Sequence, residues 1–129
     1  MKARIFYISI VIAMLLLINT KVMAQDNRMY RIAKIKVDPA QLHSYRSALN
    51  EQMNAAIKEE PGVLSYYAVA DKQHPENITI FEIYADTVAY QQHIGSAHFK
   101  KYKETVKNMV TSLELEDVSL LASAKKPGM

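Results

Sequence analysis

The chain contains no cysteine and no tryptophan, and only 3 glycines among its 129 residues. Without cysteine there is no disulfide, no thiolate nucleophile, no iron–sulfur ligation and no lipidated N-terminal cysteine, so any chemistry runs on oxygen and nitrogen groups. With so little glycine there is neither a phosphate-cradling loop nor a dinucleotide fingerprint, and a nucleotide cofactor is not expected. Excess charge of one sign is missing too. The formal net charge of +3 arises from Lys2, Arg4 and Lys21, beyond which 13 basic residues face 13 acidic ones. A balanced chain offers no basic face for nucleic acid or an anionic membrane. The cluster Lys100, Lys101, Lys103 and Lys107 reads as the solvated side of an amphipathic helix.

What is present begins with Lys2 and Arg4 ahead of an almost unbroken apolar run, Ile5 to Ile18, and a polar stretch ending Val22-Met23-Ala24. This is the pattern of a secretory signal peptide over residues 1–24. Val22 and Ala24 are the small residues at minus three and minus one, and Gln25 becomes the new N-terminus. The competing reading is an uncleaved anchor, but the run falls short of the roughly 20 apolar residues that a membrane-spanning helix needs. The expectation is an exported protein, periplasmic or secreted, with no stable membrane insertion after cleavage. The remainder suffices for one hydrophobic core and not for two. It divides into a short linker (25–28), one domain (29–121) and a flexible tail (122–129).

Within the domain, Tyr30 to Val37 alternates as a partly exposed strand does, with Arg31, Ala33, Ile35 and Val37 on one side. Asp38-Pro39 closes it and opens a helix, since aspartate caps an N-terminus and proline suits the first turn. That helix carries Leu42, Tyr45, Leu49, Met53, Ala56 and Ile57 on one stripe and stops at Pro61-Gly62. Val63 to Asp71 and Asn77 to Ala85 read as an antiparallel hairpin. Asp86 or Thr87 caps a short helix to Ile94, Gly95-Ser96 breaks and recaps it, and Phe99, Tyr102, Val106, Met109 and Val110 form the apolar stripe of a further helix. A last strand is expected near Leu113 to Leu121. The order βαββαβ is an α+β, ferredoxin-like arrangement, a four-stranded antiparallel sheet with helices on one face. Tyrosines and aliphatics on both faces of the hairpin leave the other sheet face in need of a cover, which a symmetric second copy would supply.

Chemistry is expected between Phe81 and Tyr102. Glu82 falls mid-strand on the face of Ile78, Ile80 and Tyr84, where a carboxylate is costly unless bonded or paired. It is either a structural acid or a group that orients an imidazole or accepts a proton. His93 and His98 flank the Gly95-Ser96 break, and histidine is the side chain best suited to moving protons near neutral pH. His93 shares an inward side with Tyr90 and Ile94; its alternative is a satisfied core histidine. His98 could equally pin a helix start. Spacing across a break is unlike His-x-x-x-His, so no metal is expected. His43 and His74 lie in polar surroundings and receive no role. Tyr66, Tyr67 and Tyr84 are polar handles on the sheet, and only one of Tyr66 and Tyr67 can face the helices. Phe99, Tyr102 and Asn50 complete the candidate binding residues, Asn50 with Arg46 at a pocket rim or simply solvated.

Two runs, FEIYADTVAYQQHIGSAHFKKY (Phe81 to Tyr102) and EEPGVLSYY (Glu59 to Tyr67), resemble the antibiotic-biosynthesis-monooxygenase (ABM, quinol-monooxygenase-like) family, with a likeness extending over roughly Met29 to Ser119. The resemblance implies a dimeric α+β barrel with a small-molecule pocket in each subunit between sheet and helices. It also implies oxidation of a phenolic, quinol or anthrone-like substrate with O2 and neither metal nor flavin. His93 would then be the base, Glu82 or His98 would orient it, and Tyr66 or Tyr84 would bond the substrate oxygen. A haem-degrading branch of the superfamily relies on a tryptophan and a histidine ligand. Here those positions carry His93 and Lys103, so haem breakdown is not expected. An acid/base isomerase of a small carbonyl compound and a non-catalytic ligand-binding module are the alternatives.

Overall fold

Period-two alternation along the first strand puts Ala33, Ile35 and Val37 on one face, and the computed structural model, which describes residues 26–128, buries all three. The strands are β1 (Met29–Val37), β2 (Val63–Ala70), β3 (Asn77–Tyr84) and β4 (Val110–Val118), in one antiparallel sheet ordered β2-β3-β1-β4. Helices α1 (Leu42–Glu59), α2 (Thr87–Gly95) and α3 (Ala97–Val106) pack on one face of it. This is the expected ferredoxin-like fold. The core is built from Ala33, Ile35, Val37, Ile78 and Ile80 of the sheet, Tyr45 and Leu49 of α1 and Val106 of α3. A smaller cluster joins Ala56, Val63, Tyr84 and Ala89. Burying each large aliphatic contributes about 1.5–3 kcal/mol.

Local chemistry sets the boundaries. The Asp38 carboxylate accepts from the Ala40 amide and caps a 3-10 turn, Pro39–Gln41, which leads into α1. Asp86 caps α2 by accepting from the Ala89 amide at 2.7 Å, and Ser96, in extended backbone, both ends α2 and caps α3. Two expectations are corrected. The stripe of α1 runs Tyr45, Leu49, Gln52 and Ala56, leaving Ile57 about half exposed. The last helix ends at Val106, and β4 begins at Val110 rather than Leu113, because Val110 pairs with Val37 across a bulge that follows Lys36.

The expected signal peptide lies outside the described residues. Among those described, no helix is long and apolar enough to cross a membrane. Residues 119–126 carry no helix or strand.

Candidate active site

Register places four side chains in one row across the helix-facing side of the sheet: Tyr66 opposite Glu82, Glu82 opposite Arg31, and Arg31 opposite Asp117. Above this row lies a cavity of about 110 Å³, walled by Ala33, Ile35 and Ile80 from the sheet, Leu49 and Met53 from α1, and Phe99, Tyr102 and Val106 from α3. Polar groups enter it from Arg31, Gln52, Tyr66, Glu82, Tyr84, Tyr90, His93 and Lys103, and Leu113 and Leu115 of β4 also line it. An apolar chamber with few convergent polar groups is the usual form of a small-ligand site. The Arg31 guanidinium is held on both sides, bonding Asp117 at 2.7 and 2.9 Å and lying 4.1 Å from the centre of the Tyr90 ring.

The polar groups are joined end to end. Tyr84 donates its hydroxyl to Glu82 Oε2 at 2.9 Å, the Tyr84 and Tyr66 hydroxyls lie 2.8 Å apart, and Tyr66 Oη is 2.8 Å from His93 Nε2. The other ring nitrogen, Nδ1, meets Glu60 Oε2 at 2.7 Å, and the same carboxylate oxygen meets His98 Nε2 at 2.7 Å. His98 Nδ1 then approaches Glu59 Oε2 at 3.5 Å. Gln52 Nε2 lies 3.2 Å from His93 Nε2. Among the described residues no buried side-chain polar atom lacks a partner.

Burial tunes these groups. Removal from water pushes the Glu82 carboxyl above the ordinary carboxylate range, and the Tyr84 hydrogen bond and the Arg31 charge only partly oppose it. Burial and the neighbouring Glu82 charge push the Tyr66 and Tyr84 phenols far up, so neither ionises near neutrality. His93 is lowered, burial outweighing the bond to Glu60, with nearby His98 acting in the same direction as burial. Glu60, His93 and His98 are also close enough to share a metal ion, their donor atoms all within 4.8 Å. Their 2.7 Å separations are those of charge-assisted hydrogen bonds.

The structure brings Glu82, Tyr66, Tyr84, His93, Phe99 and Tyr102 to one cavity. Both ring nitrogens of His93 are engaged, so it meets a substrate proton only through its partners. Three candidates stand apart from that cavity. Tyr67 points to the opposite sheet face and is about half exposed, as strand alternation requires of the neighbour of Tyr66. Asn50 bonds Asn54 on the surface of α1 and lines a separate groove with Arg46 and Val69. His98 sits behind His93 on Glu60. Sequence reasoning missed Glu60, Gln52 and Arg31. For the last two a signal existed, a polar residue on an otherwise apolar stripe or face; Glu60, in a turn, gave none.

A crystal structure from Bacteroides thetaiotaomicron, provisionally named an antibiotic biosynthesis monooxygenase, is 47% identical, covers 78% of this chain and 95% of its own, and has a TM-score of 0.74. A provisionally named monooxygenase from Lactobacillus acidophilus is 29% identical over 73% of this chain, with a TM-score of 0.70, and this chain spans 45% of its length. A structure from Caulobacter crescentus, 20% identical over 75% of this chain and 92% of its own at a TM-score of 0.70, shares the fold. No functionally curated protein matches. The family model for antibiotic biosynthesis monooxygenases matches residues 28–105, and the chain belongs to that family.

Proposed function

We propose that the protein is a cofactor-independent monooxygenase that oxidises a small phenol or quinol with O2, working as a homodimer outside the cytoplasm. The observation that carries the reading is a desolvated carboxyl, Glu82, in the wall of an apolar, aromatic-lined cavity beside the fixed guanidinium of Arg31. Dioxygen is a triplet, so an electron-rich substrate anion must give it one electron, and the protein's share is to take the proton, hold the anion and exclude water. Ionised Glu82 accepts the hydroxyl proton, Arg31 faces the resulting oxyanion, and Leu49, Met53, Phe99 and Val106 keep the chamber dry. This moves the base from His93 to Glu82, since the imidazole is occupied on both nitrogens. Cavities of about 150 Å³ hold benzene, so about 110 Å³ favours one-ring substrates over a three-ring anthrone. Export rests on the N-terminal sequence pattern alone.

The test is oxygen uptake by the metal-stripped purified protein against a panel of phenols, quinols and anthrones, with Glu82→Gln alongside. Uptake that favours one-ring quinols and falls about 10²-fold or more in Glu82→Gln, the scale of general-base catalysis, is the expected result. No uptake across the panel, with ligands still bound, would leave a binding module of the same fold.

A further inference from the structure

We propose that Tyr84 and Tyr66 are a proton wire, carrying protons between Glu82 in the pocket wall and the His93–Glu60 pair, with His98 as the exit to solvent. The inference rests on the reading of Glu82 as the pocket's base and adds the route by which that base is charged and discharged. Four hydrogen bonds of 2.7–2.9 Å run without a gap from Glu82 through Tyr84, Tyr66 and His93 to Glu60, and a fifth of 2.7 Å reaches His98. Exposure changes in step. The His93 side chain is 1% exposed, those of Glu60 and His98 15% and 16%, and that of Glu59, beside His98, 62%. The intermediate links are hydroxyls and an imidazole, groups that both donate and accept.

The same heavy-atom positions fit two proton arrangements. In one, Glu82 is neutral and donates to Tyr84, Tyr84 to Tyr66, and Tyr66 to bare His93 Nε2, while Nδ1–H donates to the Glu60 carboxylate. In the other, each bond in the wire is reversed: Glu82 is ionised, His93 carries a proton on both nitrogens, and Glu60 balances the imidazolium. Passing between them breaks the Glu82 O–H bond and forms the His93 Nε2–H bond, with one O–H broken and one formed at each tyrosine. Neither phenol ionises on the way, and total charge is unchanged. The substrate proton then lands on ionised Glu82, and one proton leaves His93 Nδ1 through Glu60 and His98 to water. The imidazole is left with its remaining proton on Nε2, facing Tyr66, and the first arrangement returns when that proton is exchanged for one on Nδ1 and the two hydroxyls turn about. No oxidant or reductant takes part. Gln52, buried against Nε2, suits both arrangements because its amide offers a donor or, once turned, an acceptor. The groups facing the wire are Arg31 beside Glu82, Glu60 and His98 beside His93, and the two phenols themselves.

Two measurements on the purified protein test this. In oxygen uptake, His98→Ala lowers kcat about tenfold at low buffer with KM within about twofold, and added imidazole restores it, as a small base replaces a surface proton exit. Tyr66→Phe lowers kcat at least as much, and imidazole does not restore it; Tyr84→Phe serves if that variant misfolds. A loss in His98→Ala that imidazole leaves untouched, or wild-type kcat in both tyrosine variants, would overturn the wire. The second measurement needs no substrate and separates failure of the wire from failure of the monooxygenase reading. The His93 ring nitrogens are titrated by 15N NMR, with and without Glu82→Gln, in the wild-type and Tyr66→Phe backgrounds. A wire makes the Glu82→Gln shift of His93 large in the first background and severalfold smaller in the second, whereas equal shifts would show through-space charge alone and no wire.

Discussion

Glu82 stores a cost that pH can release. Its folded-state pKa is raised, so the folded protein binds that proton more tightly than the unfolded chain does. The ionised form therefore subtracts stability above the folded pKa, and the loss is recovered as pH falls towards the unfolded value of about 4.3. Glu82→Gln keeps an acceptor for Tyr84 and removes the charge, so it should raise Tm at pH 8 by several degrees, about 4–8 °C per kcal/mol for a domain of this size, and bring little gain at pH 4. Thermal melts at pH 4, 6 and 8 check it, and an equal gain at pH 4 would sink the desolvation account. Glu82 could be singled out from sequence because a charge interrupts a period-two apolar run, and a charge on such a face has to be answered. Arg31 breaks the same rule on β1, among Ala33, Ile35 and Val37. Glu60 breaks no rule, because an acid before Pro61-Gly62 looks like any solvated turn residue. Its role comes from three-dimensional placement, one residue past the end of α1 and under the break between α2 and α3, which brings both histidines onto one oxygen.

Secondary-structure elements hold those groups in place through close approach. A Cβ added at Gly62 would lie 2.5 Å from the Ala89 Cβ, so the turn after α1 lets α2 sit directly upon it. Gly62→Ala must push away α2 and with it His93, at a cost of about 1–3 kcal/mol for an overpacked contact. The expected result is a lower Tm together with weakened protection of the His93 ring nitrogens in NMR exchange; an unchanged Tm would mean that α2 is not seated through this contact. Most elements were legible because cap and period agree: Asp38-Pro39, Asp86 and Ser96 each begin a turn or helix where the apolar spacing also changes. The boundary between α3 and β4 was not. Met109 and Val110 satisfy the helical stripe as well as the strand alternation, and the decision falls to pairing with β1, a non-local interaction that periodicity does not contain.

At the scale of the whole molecule, one sheet face is answered and the other is open. Helices cover the side of Glu82, while the opposite side presents Tyr67 and Val69, 54% and 62% exposed, beside Ile32, Phe81 and Ile83. The Lys34–Glu116 ion pair, 2.7 Å, borders this apolar centre, giving the arrangement of an interface with a dry middle and a charged rim. A second copy packed sheet to sheet would cover it, and twofold symmetry would bring each substitution into the contact twice. Tyr67→Glu then places two unpaired carboxylates in the buried middle, a cost of several kcal/mol that weakens association at least about a hundredfold. Because Tyr67 points away from Tyr66, the hydrogen bonds of the pocket should survive, and His93 should keep its wild-type NMR titration. Sedimentation of the wild type as a dimer and of Tyr67→Glu as a monomer, at equal micromolar concentration, is the expected outcome. A wild-type monomer, or a Tyr67→Glu dimer of undiminished affinity, would mean that this face is not where two copies of the chain meet.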